Sequence, residues 1–109
     1  MKRGELEERA ERALHFLRDS AEQHAKLRAT SDYMDAWVKT VLAKCKQKAP
    51  GLSQAAAEAS AMGDPEYLAA LEARKRAAEE WYHALFLRDA AFAHIDAWRT
   101  CSSNERATV

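Results

Sequence analysis

Lys39, Lys44, Lys46 and Lys48 form the cluster with the clearest chemical meaning in this 109-residue chain. Tyr33 and Trp37 stand beside them. Cations neutralise backbone phosphates and aromatic rings stack on bases, which is what single-stranded nucleic acid requires of a surface. Residues 26–50 carry six basic and two acidic groups, a net charge of +4. The chain as a whole balances 17 Lys and Arg against 17 Asp and Glu, so a neutral protein contains a basic stretch. Lysines at a helix C-terminus also complement the negative end of its dipole, so a purely local role for these residues stays open.

Other chemistry is sparse. His15, His24, His83 and His94 do not form a chelating pair, and neither metal nor cofactor is expected. Glu7-Glu8 and Glu79-Glu80 are adjacent pairs, and neighbours on a helix point about 100° apart. They read as solvated faces rather than a general acid and base. Three isolated glycines supply no phosphate loop, and no nucleophile elbow occurs. No enzymatic activity is expected. Cys45 and Cys101 lack a Cys-x-x-Cys spacing and read as reduced thiols of a cytoplasmic protein. No apolar run has the length of a membrane span, and the charged start lacks the pattern of a signal peptide.

The elements that position these residues are helical. Ala, Glu, Arg, Lys and Leu dominate, and alternating runs typical of strands are absent. Pro50-Gly51, Gly63 and Pro65 cut the single 1–109 domain into three pieces. A helix is predicted over about 5–48, on a seam of Leu6, Ala10, Ala13, Leu17, Leu27, Met34, Val38, Val41 and Cys45. Ser20, His24 and Ser31 make the middle of that seam polar. A short Ala-rich helix is predicted over about 53–62, with Ser53 as its cap. Asp64-Pro65-Glu66 opens a third helix, predicted to run to about residue 101. Its seam reads Leu68, Leu71, Lys75, Ala78, Tyr82, Leu85, Asp89, Phe92 and Ile95. A frayed tail is expected over 102–109.

The expected architecture is all-α: a long antiparallel helical hairpin with a short connecting helix. A single chain folded into three or four shorter helices is the alternative. Two helices alone have little interior, and Trp37, Trp81, Tyr82, Phe86, Phe92 and Trp98 are too many large rings for one shared seam. Self-association into a bundle or ring is therefore expected, through Trp81, Leu85, Phe92, Ile95 and Trp98.

The basic stretch, the Ala-rich connector, a last helix opening Pro65-Glu66-Tyr67 and the closing segment Ile95-Asp96-Ala97-Trp98-Arg99 carry a resemblance. From about Ala25 to Arg106 the pattern resembles small helical proteins of phage recombination modules, in outline the recombination mediator family of T-even-type phages. That resemblance implies a homo-oligomer that binds single-stranded DNA and assists a recombinase against a single-strand-binding protein in the bacterial cytoplasm. It implies DNA contacts by Lys39, Lys44, Lys46 and Lys48, with the last helix as the assembly interface. The residues themselves add Tyr33, Trp37 and Arg99 as candidate nucleic-acid contacts. The competing expectation is a protein-interaction module without a nucleic-acid role, either a phage inhibitor of a host enzyme or defence complex or a structural scaffold.

Overall fold

The computed structural model describes residues Lys2–Thr108. The chain is all-α, with the order α1 (Arg3–Lys46), α2 (Gln54–Met62) and α3 (Pro65–Thr108). It is a helical hairpin whose arms are joined by a short connecting helix. Local chemistry sets the boundaries. Glu5 lies in the first turn of α1, and Lys44 and Lys46 lie in the last, each complementing the dipole. Gly51 turns the chain at φ 91°, a conformation that favours glycine. The Ser53 hydroxyl accepts from the Ala56 N–H at 3.2 Å and caps α2. The Asp64 carboxylate accepts from the Glu66 N–H at 2.9 Å and caps α3.

The chain divides into two compact units. One comprises residues up to Ala25 together with those from Tyr82 onward; the other runs from Lys26 to Trp81. Each has its own core. In the Lys26–Trp81 unit, Val38, Val41 and Cys45 of α1 meet Ala61 of α2 and Ala70 of α3. Leu42, Tyr67 and Leu71 pack around them. In the other unit, Ala13 of α1 meets Ala91 and Ile95 of α3, flanked by Phe16 and Leu17. Between Ala13 and Val38 the inward positions of α1 include Ser20, His24 and Ser31, all only half-buried. Small and polar groups there remove little apolar surface from water, so burial concentrates in two places.

The α1 seam follows the heptad reading. Ala10, Ala13, Val38, Val41 and Cys45 are buried, and the intervening seam positions are half-buried. The α3 seam does not. Leu68, Lys75, Tyr82, Asp89 and Phe92 are exposed, while Leu71, Ala78 and Leu85 are half-buried. The buried row is instead Ala70, Ala77, Ala84 and Ala91, one every seventh residue, with Ile95. Tyr67, Trp81, Arg88 and Trp98 are half-buried. The seam has turned by one position toward the N-terminus. Alanine offers no side chain beyond Cβ, so an alanine row lets two helix axes approach closely and brings more atoms into dispersion contact. The heavy side chains of α3 are thereby left outside.

The C-terminal expectation is also corrected. Residues 102–108 continue α3 rather than fraying. The Arg3 guanidinium reaches the Glu105 carboxylate at 2.8 Å, and Cys101 and Ser102 are half-buried. An exposed ion pair contributes only about 0–1 kcal/mol, so the burial beside it carries part of the ordering.

Candidate functional site

The four lysines do not make one surface. Side chains on a helix advance by about 100° per residue, which sets Lys39 and Lys46 on the opposite side of α1 from Tyr33, Trp37 and Lys44, roughly 120–180° away. Two of the four are engaged within the chain. Lys44 Nζ donates to Glu66 at 2.9 Å. Lys48 Nζ lies 3.0 Å from Asp64 and 3.3 Å from Glu66. Lys39 is exposed, and Lys46 is half-buried. Arg99 is exposed on α3 in the unit that holds the chain termini, whereas the lysines belong to the Lys26–Trp81 unit. The aromatic pair is brought together. Tyr33 and Trp37 stack with centroids 6.5 Å apart and planes 9° from parallel. Both rings are exposed, Tyr33 at 62%.

Asp64 and Glu66 turn the lysine cluster into an ionic clasp. The Glu66 N–H, followed by Lys48, holds the Asp64 carboxyl below its ordinary 3.8. Lys44 and then Lys48 hold Glu66 below its ordinary 4.5. Burial, with the Asp64 carboxylate adding to it, pushes the adjacent Cys45 thiol up, so it is a protonated neighbour rather than a ready nucleophile. Carboxyls depressed in the folded state stabilise it above their ordinary values, and that contribution disappears as pH falls through the folded values. The thermal midpoint is therefore expected to fall as pH drops below about 4. D64N/E66Q should show a shallower fall between about pH 5 and 2. Circular dichroism melts at matched protein concentration check this; parallel profiles for the two proteins would remove the clasp from the account.

The expected oligomer-interface residues separate as well. Ile95 is 6% exposed and belongs to the core of its own chain, which corrects its assignment as an interface residue. Trp81, Leu85 and Trp98 are half-buried. Phe92 remains exposed. The prominent outer residues of α3 are different ones: Phe86, 68% exposed, with Tyr82 one turn before it and Leu87 beside it. The alanine row explains this exchange, because turning Ala84 and Ala91 inward turns Tyr82 and Phe86 outward.

A groove absent from the sequence-based expectation lies in the same unit. It has a volume of about 410 Å³, with an apolar floor of Ala13, Phe16, Leu87 and Ala91. Arg9, Arg12 and His94 line it too, and no carboxylate does. The sequence signal is modest: both arginines immediately precede a seam alanine, at Ala10 and Ala13. Among the described residues, no group of His, Cys, Asp and Glu could hold a metal ion, and no helix is long and apolar enough to cross a membrane. Cys45 and Cys101 are both free.

No protein-family model, curated protein or solved structure matches the chain.

Proposed function

We propose that the protein is a helical interaction module that acts as a homo-oligomer in the cytoplasm and serves a protein partner rather than a reaction. One observation carries this reading. Among the described residues no large side chain is fully buried, while Tyr82, Phe86, Leu87 and Phe92 stand exposed within one unit. Tyr82 and Phe86 are four residues apart and adjoin on one face of α3, and paired exposed rings of this size are what a partner surface covers. Fully burying one such side chain contributes about 1.5–3 kcal/mol, or roughly one to two decades in affinity. Phe86→Ser is therefore expected to raise the concentration for half-assembly at least about tenfold, with helix content unchanged. Sedimentation velocity across the micromolar range, paired with circular dichroism, measures both. A monomeric wild-type chain throughout that range would remove the reading.

A second reading keeps the single-stranded DNA accessory role, assisting a recombinase. It is favoured by the exposed, stacked Tyr33–Trp37 pair, two sequence-tolerant platforms for bases with Lys44 on the same side of α1. It predicts that Trp37→Ala weakens binding of labelled oligo-dT by about 1–3 kcal/mol. It also predicts steep loss of anisotropy between about 50 and 200 mM salt. A flat titration at both salt concentrations would leave the interaction module alone.

A further inference from the structure

We infer that the groove beside Arg9 and Arg12 receives the opposite flank of α1 from a second copy of this chain, so that copies join head to tail. The inference rests on the homo-oligomeric reading and names one of its contacts. The groove offers an apolar floor with two guanidinium groups and no carboxylate along its lining. Among the described residues neither Arg9 nor Arg12 is held in a salt bridge, although Glu5 and Glu8 stand four residues before them. The groove therefore suits an apolar anchor accompanied by negative charge.

The same unit carries such a segment on the other side of α1. Leu14 is 55% exposed, an aliphatic side chain in water. Glu7 and Glu11 precede it at seven and three residues, and both are exposed. At about 100° per residue, Glu7, Glu11 and Leu14 share one flank, at roughly 100–160° from Ala13. Arg9, Arg12 and Phe16 share the other flank, roughly 40–100° from Ala13 in the opposite sense. Among the described residues, neither glutamate is in a salt bridge. Knob and groove thus lie on opposite flanks of one helix, with complementary uncommitted charge. They are on different sides, so a copy cannot satisfy both in a two-fold pair of identical patches. Each copy gives its knob to one neighbour and its groove to another, and repetition closes a ring or extends a filament. The groove volume exceeds one side chain, which leaves room for the Leu14 anchor and the stems of the arginines that cover it.

Charge exchange tests this arrangement. R9E/R12E reverses the groove, and E7R/E11R reverses the knob. Each variant alone then opposes like charges across the contact, and its half-assembly concentration should rise at least about tenfold. Mixed one to one, the two variants restore opposite charges at every contact and should assemble at the wild-type concentration, alternating along the assembly. Circular dichroism establishes that each variant keeps its helix content. A less invasive variant, Leu14→Ser, should weaken wild-type assembly without altering charge. The outcomes separate the two proposals. If the wild-type chain assembles and Phe86→Ser weakens it, but the charge variants assemble as before, the head-to-tail contact is wrong and the homo-oligomer stands. Dispersal of each variant without recovery on mixing also overturns the contact. A monomeric wild-type chain overturns both.

Discussion

Ala70→Leu is expected to lower the thermal midpoint by roughly 5–20 °C, a cost of about 1–3 kcal/mol, in melts at matched protein concentration. Leucine is ordinarily the better choice for a helix core, so the sign is informative. Ala70 is buried among Val38, Val41, Cys45 and Ala61, residues drawn from α1 and α2. Leucine at that position places three further carbons where those side chains already stand. The helices must separate or the new side chain must leave its preferred rotamer, and both sacrifice contacts made elsewhere in the cluster. Leu68, by contrast, is the residue that an apolar periodicity would put in the core, yet it is 50% exposed. Leu68→Ala should cost less than about 0.5 kcal/mol, as surface changes away from caps and networks usually do. A large loss at Leu68 with a small one at Ala70 would mean that α3 presents the other face to α1.

Ile95→Ala should cost about 2–5 kcal/mol, the range for removing a buried branched side chain. Ile95 is the largest fully aliphatic side chain buried in the core with Ala13 and Ala91. Two alanines cannot move far enough to refill the space it vacates, so the cavity persists and adds to the lost transfer energy. The unfolding midpoint in urea reads the loss. Phe92, also assigned to the interface on sequence grounds, is exposed and contributes little within the chain. Phe92→Ala should leave the urea midpoint of the dissociated chain almost unchanged. Equal destabilisation by both substitutions would place Phe92 in the intramolecular core and reduce the apolar surface available for assembly.

The contrast between these residues shows where sequence reasoning succeeded. Helix positions were legible because breakers and caps act locally. Ser53 and Asp64 cap the helices that follow them, and Gly51 turns the chain where Pro50-Gly51 marked a break. The α1 seam was legible because its apolar residues recur at steps of three and four on one line, and Leu14, Tyr33 and Trp37 fall off that line. On α3 the apolar residues occupy a wide arc and several seams fit. The seam drawn at heptad spacing passes through Leu68, Tyr82 and Phe92, whereas packing selects the alanines at 70, 77, 84 and 91.

The lysine cluster was legible as charge but not as a site. Its net charge follows from composition, yet the acids that engage Lys44 and Lys48 lie in the Asp64–Glu66 segment beyond α2. Only the return of the chain brings them within about 3 Å, and nothing local to α1 names those partners. The groove beside Arg9 and Arg12 was illegible for a related reason. Its two walls come from α1 and α3, and neither wall has a motif of its own.

By itself, then, the sequence determined that the chain is helical and where its three helices start, because caps and breakers act within a few residues, and it marked the inward face of α1 through the spacing of its apolar residues. The tertiary structure decided which face of α3 meets α1, which lysines are engaged, and which large side chains face water. Those outcomes depend on how closely two helices can approach, and that distance is set jointly by side chains far apart in the chain.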